Sequence, residues 1–531
     1  MARVQDIFTE RRPYNAASDF IDANVARGLG AKVAFVDPER SLTYGDLQAH
    51  SYRFANALRQ LGLDHERRVA LLLSDTVDYP VAFWGTIRSG NVAVPLNTFL
   101  NAAQYAYILG DCRASALVVG ALLAPVIWPV LEKLPRLRTV IVVGGTETLT
   151  LAGRVVHSFE RLLAAGDEEP FTADTLSDEV AFWLYTSGST GDPKGVKHVH
   201  SNLMATAKLF GQGVLGIAES DVVHSAAKLF FAYGLGNAMT FPLSVGATSV
   251  LWPHRPTPDG VFDVMRKHRP TIFYGVPSLY TALLAHKDIC KGACSDRLRV
   301  CVSAGEALPA HIGERWCSTV GVDVLDGLGS TELLQTFLSN RPDDVRYGST
   351  GKPVPGYEAR IVDEHGHDLG NEEVGELIVR GPSAGEGYWN QRAKSRRTFA
   401  GEWVYTGDKY RRDKDGYYYY CGRTDDMFKV SGMWVSPFDV EAALVSHEAV
   451  LEAAVIGKED ADGLVKPKAF IVLKNGYVAD DGLIEKLKVH VKEQAGAWKY
   501  PRWIELRDDL PRTATGKIQR FKLRDEDLAA R

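Results

Sequence analysis

The stretch Tyr185-Thr-Ser-Gly-Ser-Thr-Gly-Asp-Pro-Lys-Gly195 gathers hydroxyls, glycines and a lysine directly behind a β-rich run, Val180–Tyr185. Glycines let backbone N–H groups approach phosphate oxygens closely. The hydroxyls of Thr186, Ser187, Ser189 and Thr190 add donors, Gly188 and Gly191 add freedom, and Lys194 adds positive charge. A Gly/Ser-rich loop alone is usually only a flexible turn. The coincidence of all three residue types after a strand points to phosphate binding. It is not a Walker A loop, because Gly-x4-Gly-Lys-Ser/Thr is absent.

Four other segments carry groups capable of chemistry. Asp326-Gly-Leu-Gly-Ser-Thr-Glu332 ends in an acid after a glycine-rich turn. Tyr405-Thr-Gly-Asp408 places a carboxylate behind a glycine. Gly422-Arg-Thr-Asp-Asp426 is a polar turn, and Pro511-Arg-Thr-Ala-Thr-Gly-Lys517 holds a lysine in a Thr/Gly loop. Taken singly each has a plain reading: a surface carboxylate, a turn aspartate, a solvated lysine. Taken together, in this order and spacing, they resemble the adenylate-forming superfamily of acyl-CoA synthetases, adenylation domains and luciferases. The resemblance spans essentially the whole chain.

That resemblance implies a set of roles. The 185–195 stretch is similar to the family's phosphate loop, and Ser303-Ala-Gly-Glu306 to its adenine-stacking turn, with Ser303, Ala304, Gly305 and Glu306 contacting ATP. Asp326, Gly327 and Thr331 belong to the adenine and magnesium segment, and Glu332 would be the Mg²⁺ ligand, as a hard oxygen donor beside phosphates. Asp408 would accept from the ribose hydroxyls, and Arg423 offers a planar donor fork. Lys517, with Thr186 and Glu332, would be catalytic, stabilising charge as a carboxylate displaces pyrophosphate from ATP. Asp425 matches the hinge about which a C-terminal domain rotates, and Gly432 borders the pantetheine tunnel for CoA. Lys228 and Lys468 are candidates for the CoA phosphates.

The acid pocket of the family draws on the segment after the phosphate loop. Here that segment is Lys228-Leu-Phe-Phe-Ala-Tyr-Gly-Leu-Gly236. Phe231 and Tyr233 offer planar walls, Ala232 leaves space, and Gly234, Gly327, Leu334 and Gln335 complete the expected lining. Ser225–Asn237, Ser303–Pro309, Thr424–Gly432 and Gly516–Arg524 resemble benzoate–CoA ligases in particular. The expected reaction is therefore AMP-forming ligation of benzoate, or a simple ring-substituted benzoate, to CoA, with ATP and Mg²⁺. The Gln335 amide could hydrogen-bond a ring hydroxyl, which keeps 4-hydroxybenzoate as an alternative acid. A carrier-loading aryl-adenylating enzyme is the other alternative, although no carrier domain is fused to the ligase pattern.

These groups need a scaffold. The 531 residues exceed one compact core, and 45% hydrophobic with 24% charged residues is an ordinary soluble composition. Up to about residue 330, β-rich runs such as Arg68–Leu73, Leu117–Val119 and Thr139–Val143 alternate with helical patterns such as Tyr44–Leu61. This predicts an α/β fold with mostly parallel sheet, which the resemblance divides into two α/β subdomains. From about 346 the strands shorten into a small β-rich subdomain, and a compact, mobile α+β domain follows. The boundaries are 1–421, a hinge at 422–426, and 427–531. The net charge of −5 argues against a nucleic-acid partner. Six scattered cysteines fit a reduced, cytoplasmic enzyme without a zinc site. The charged N-terminus is not a secretory signal, and the uncharged Ala114–Leu131 reads as a strand plus a short buried helix rather than a membrane span. The chain is expected to act as a monomer or homodimer on a small aromatic acid.

Lys517 yields a first test. Lys517→Ala is expected to lose adenylation by several orders of magnitude, while thioester formation from supplied aroyl-AMP survives much better. Equal loss in both half-reactions of the folded protein contradicts the assignment.

Overall fold

The computed structural model describes residues 10–145, 149–151, 153–167, 169–186, 192–290, 294–424, 426–430, 433–461, 463–477, 480–496, 498–512 and 518–529. The chain forms two compact units, Met1–Ala359 with Val379–Val404, and Arg360–Ile378 with Tyr405–Arg531.

The first unit holds two large sheets. In the eight-stranded sheet the order is Lys194–Val199, Val180–Thr186, Val92–Pro95, Arg68–Leu72, Ala116–Gly120, Thr139–Val143, Arg154–Ser158 and Leu149–Leu151. Its interior pairs are parallel and its outermost pairs antiparallel. In the nine-stranded sheet Val324–Gly329, Val300–Ser303, Ile272–Gly275, Val222–Ser225, Thr248–Val250 and Val33–Val36 run parallel in that order. The antiparallel edge strands are Thr336–Ser339 with Lys352–Pro353 on one side and Ser41–Thr43 on the other. Parallel strands buried on both faces read as continuous apolar runs, and Ala70, Leu71, Leu117, Val118, Val140 and Ile141 are all fully buried.

Helices cover these sheets where the sequence provides an apolar stripe and a cap. Tyr44–Gln60 starts at Thr43, whose hydroxyl and the Asp46 carboxylate form a reciprocal capping box. It buries Leu47, Phe54 and Leu58, spaced to face one side. The uncharged 114–131 stretch becomes the strand Ala116–Gly120, the short helix Ala124–Ile127 and a 3₁₀ turn, with Ile127 and Leu131 in the core. No helix among the described residues is long and apolar enough to cross a membrane.

The β-rich stretch expected after residue 346 is a five-stranded sheet that includes Glu358–Val362, Gly375–Arg380, Trp403–Arg412 and Tyr418–Arg423. Toward the C-terminus, the strands Val450–Glu459, Val465–Leu473 and Trp503–Leu506 form a separate sheet, with Pro437–Val445 and Asp481–Ala495 sharing its core. The result is an α/β N-terminal part of two sheets, a small β-rich part and a small α+β C-terminal part.

One buried polar cluster pins the first unit. Arg88 is fully buried, forks onto both Asp22 oxygens at 3.0 and 2.9 Å, and donates to Thr172 and Ser51. Asp22 keeps 24% side-chain exposure, so water replaces its lost partner only in part, and Arg88→Ala is expected to cost about 2 kcal/mol. An earlier denaturant midpoint for this unit, without loss of its secondary structure in native buffer, checks this.

Candidate active site

The described residues that flank the expected phosphate loop belong to a strand pair. Thr186, the last residue of Val180–Thr186, lies opposite Lys194, the first of Lys194–Val199. Residues directly opposite in an antiparallel pair share a face, so the hydroxyl and the ammonium start from one side. Ser187, Gly188, Ser189, Thr190 and Gly191 lie outside the described residues. The segment 385–389 runs alongside the second strand: Glu386 N–H donates to Lys197 O at 2.8 Å, Lys197 N–H to Gly387 O at 3.1 Å, and Trp389 N–H to Gly195 O at 2.8 Å. This pairing sets the Tyr388 ring 3.9 Å from the Lys194 ammonium. The Tyr388 hydroxyl donates to Glu332 Oε1 at 2.7 Å, and Lys194 Nζ stands 3.9 Å from the same oxygen. Both charged side chains are less than one-fifth exposed, so the attraction is screened less than at an open surface.

Glu332 is positioned from two sides. Gly385 N–H donates to Glu332 O at 2.9 Å. The preceding carbonyl, Thr331 O, accepts from His198 Nε2 at 2.8 Å, which fixes the proton on that nitrogen. Burial pushes His198 down to about 4, so the ring is neutral at physiological pH, stacked on Phe182.

The residues expected at the adenine lie where neighbouring parallel strands finish. Ser303 closes Val300–Ser303 and pairs in register with Asp326. Ala304 follows, and Gly305 has φ +95° with no heavy atom within 4 Å of an added Cβ, so one face of the turn is open backbone. Glu306 is exposed beside it. Ser303 Oγ and Asp326 Oδ1 are buried without a hydrogen-bond partner among the described residues. Burial pushes the Asp326 carboxyl well above the usual carboxylate range. Orphaned buried polar atoms are uncommon and call for a partner; the exocyclic amine and ring nitrogens of a purine could supply one.

The residues expected at the acid form a tightly packed wall. Tyr233 of the short helix Ala232–Leu235 donates its hydroxyl to Gly275 O and Val302 O, both at 3.2 Å. A Cβ on Gly234 would sit 2.1 Å from Lys228 O, and one on Gly236 2.2 Å from Gln335 Nε2. Gln335 is 2% exposed. Its amide nitrogen donates to Ala232 O at 3.3 Å, Tyr233 O at 3.1 Å and Asn237 Oδ1 at 3.4 Å. Its oxygen accepts from the Thr336 N–H and hydroxyl, both at 2.9 Å. The amide expected to meet a ring hydroxyl is thus spent on the backbone behind Ala232 and Tyr233. Leu334 is buried in the left-handed region at φ +64°, a conformation costing about 1–2 kcal/mol for a residue with a Cβ. Gly327 is crowded in turn, since a Cβ there would stand 3.0 Å from Thr336 Cγ2.

In the second unit, Asp408 and Arg423 lie opposite each other on paired strands. Arg423 Nη1 donates to Asp408 Oδ1 at 2.8 Å and to Thr406 O at 3.1 Å. Asp425, Gly432 and Lys517 lie outside the described residues. The two lysines considered for CoA phosphates are both committed internally. Lys228 is buried against the Trp252 and His254 carbonyls, and Lys468 is bound to Glu505 at 2.6 Å and Asp527 at 2.8 Å.

Tyr388 and His198 were not legible as site residues. Tyr388 is one aromatic in a glycine-rich run, and its partner Glu332 is 56 residues away.

Charged and polar groups gathered at the strand ends of an α/β unit, where such folds bind ligands, with a small α+β part after it, fit an adenylate-forming type of enzyme. The chain belongs to the AMP-binding enzyme family: that family's model matches residues 22–389, and the AMP-binding enzyme C-terminal domain matches 439–517. It is 54% identical to a 4-hydroxybenzoate–CoA/benzoate–CoA ligase of Rhodopseudomonas palustris, over 97% of this chain and 95% of that one. It is 53% identical to a benzoate–CoA ligase of Thauera aromatica, over 96% of each. Among solved structures, a benzoate CoA ligase from Burkholderia xenovorans LB400 matches with TM-score 0.88 and 48% identity, over 96% of this chain and 100% of that one. The anthranilate CoA ligase AuaEII in complex with anthranoyl-AMP matches with TM-score 0.92 and 42% identity, over 98% of each.

The Tyr388 hydroxyl orients Glu332 and leaves Lys194 shared between a ring and a carboxylate. Tyr388→Phe removes a hydrogen bond to a charged group, so kcat/KM for ATP in pyrophosphate exchange is expected to fall about tenfold. Exchange unchanged from the parent enzyme contradicts this role.

Proposed function

We propose that this chain is an AMP-forming ligase that joins benzoate, or a simple ring-substituted benzoate, to CoA through an aroyl-adenylate. The observation that carries the reading is the continuity of Glu332–Gln335. One end of this short segment holds the carboxylate facing Lys194, and the other holds the backbone of the Ala232–Tyr233 wall. Full-length likeness to benzoate–CoA ligases supports the same acid.

A carboxylate acylates poorly because oxide is a bad leaving group. In the first step a carboxylate oxygen attacks the α-phosphorus, a new P–O bond forms, and pyrophosphate departs. Thr186 and Lys194 receive the β- and γ-phosphate oxygens, together with Ser187, Gly188, Ser189, Thr190 and Gly191 of the same loop. Lys517 stabilises the charge that builds on the carboxylate and α-phosphoryl oxygens. Glu332 would hold Mg²⁺, which supplies charge neutralisation on phosphate oxygens. The residue fits, because its Oε1 is occupied by Tyr388 while Oε2 takes no hydrogen bond among the described residues. Asp408 and Arg423 orient the ribose, and Ser303–Glu306 with Asp326 take the adenine. In the second step the CoA thiol, entering past Gly432, attacks the acyl carbon and AMP leaves. The domain 427–531 reorients about 422–426 between the steps, with Asp425 as the residue that absorbs the dihedral change.

An acid slot walled by Phe231, Ala232 and Tyr233 would be apolar and flat, so a second ring-borne carboxylate would be excluded by the cost of burying it unpaired. The likeness to a 4-hydroxybenzoate–CoA/benzoate–CoA ligase favours acceptance of a 4-hydroxyl as well. Gln335 is not the group that would read it, since its amide is already satisfied.

Release of AMP with CoA as sole acceptor, over a panel of acids, tests the function directly. Benzoate and 4-hydroxybenzoate are expected to turn over and octanoate to fail; fast octanoate turnover, or adenylation without CoA product, contradicts the proposal. Ala232→Phe is expected to abolish benzoate turnover by filling the slot while ATP still binds. Gln335→Leu is expected to lower kcat/KM for benzoate and 4-hydroxybenzoate together, leaving their ratio within about twofold, because the wall moves and no ring contact is lost. A selective loss of 4-hydroxybenzoate contradicts the placement of Gln335.

A further inference from the structure

Lys228 opens the segment that lines the acid slot, yet its ammonium points away from solvent. Asp75 and Lys228 are 3% and 6% exposed, and their charged atoms stand 4.0 Å apart. Asp75 follows the strand Arg68–Leu72 of one sheet, and Lys228 follows Val222–Ser225 of the other, each beyond the strand's C-terminal end. The pair therefore joins the two sheets of the first unit at the edge where ligands bind in α/β folds.

Each group also holds backbone. Leu229 N–H donates to Asp75 Oδ1 at 3.2 Å, and the Lys228 ammonium donates to Trp252 O and to His254 O, the latter at 2.7 Å. Three loops, those following the strands Arg68–Leu72, Val222–Ser225 and Thr248–Val250, are thereby fixed to one another. The Lys228 carbonyl accepts from Phe231 N–H at 3.0 Å, and Gly234 packs so tightly on the same carbonyl that no Cβ fits. The position of Lys228 thus dictates the position of Phe231, Ala232 and Gly234. Burial pushes Asp75 up to about 6 and lowers Lys228, and each charge draws the other part of the way back toward its ordinary range. A buried ion pair is costly to assemble and gives little net stability, so what it provides here is placement.

We infer that Asp75 is a positioning residue for the carboxylic-acid substrate, acting through Lys228 on the Phe231–Gly234 wall. Among the described residues Asp75 forms no hydrogen bond or ion pair with Lys194 or Glu332. This rests on the reading of the chain as an aromatic acid–CoA ligase.

The test uses benzoate-dependent pyrophosphate exchange by the full chain. In Asp75→Asn, KM for benzoate is expected to rise about tenfold or more while KM for ATP stays within about twofold. The paired variant Asp75→Asn with Lys228→Met leaves no lone buried charge, and therefore tests the idea even where the single change fails to fold. It is expected to show the same split. A benzoate KM within about twofold of the parent, or benzoate and ATP KM rising together, overturns the inference. A parent enzyme that turns over none of the aromatic acids overturns the functional reading instead, which keeps the two failures distinct.

Discussion

Lys194 and Glu332 face each other across 3.9 Å with a tyrosine hydroxyl on the carboxylate and its ring beneath the ammonium. Much of the first unit serves to hold that arrangement. The lysine begins an edge strand whose register is set by pairing with Val180–Thr186. The tyrosine is aligned by main-chain bonds from 385–389 to that same strand. The backbone just before Glu332 is fixed through His198, whose burial keeps it neutral and hence a directional donor rather than a competing cation. A strand slip of one residue would turn Lys194 to the opposite face and dissolve the cluster.

From this point the acid side follows by short connections. Three residues beyond Glu332, Gln335 spends its whole amide on Ala232, Tyr233, Asn237 and Thr336. Leu334 between them is held in a left-handed conformation, a strain tolerated because its neighbours are fixed on both sides. The wall is then clamped from behind by Lys228 and Asp75. On the proposed reading, phosphate chemistry and acid recognition are coupled through these few connected residues, which suits a reaction whose two substrates must meet at near-attack distance.

Much of this was legible in the sequence, for physical reasons that differ by element. The strands at Arg68–Leu72, Ala116–Gly120 and Thr139–Val143 were visible because fully buried parallel strands are unbroken apolar runs. Thr186, Lys194 and Glu332 were visible because motif order places them, and the structure brings Lys194 and Glu332 together. What was hidden depends on contacts between distant residues. Nothing local in Gly387-Tyr-Trp-Asn390 announces a hydroxyl aimed at Glu332. Lys228 and Lys468 were candidates for the CoA phosphates, since lysines usually reach solvent, whereas each meets acceptors supplied by other elements. Gln335 lies against Ala232 and Tyr233, but the direction of its amide is not written in residue spacing.

The central claim is that acid activation passes through a mixed anhydride with AMP. Turnover with benzoate carrying ¹⁸O in both carboxyl oxygens measures this directly, with the AMP product weighed by mass spectrometry. The carboxylate oxygen that attacks the α-phosphorus stays with phosphorus when the thiol takes the acyl group. Each AMP is therefore expected to carry one ¹⁸O and pyrophosphate none. Unlabelled AMP, or label in pyrophosphate, contradicts an aroyl-adenylate and the roles assigned to Lys194, Glu332 and Lys517 with it.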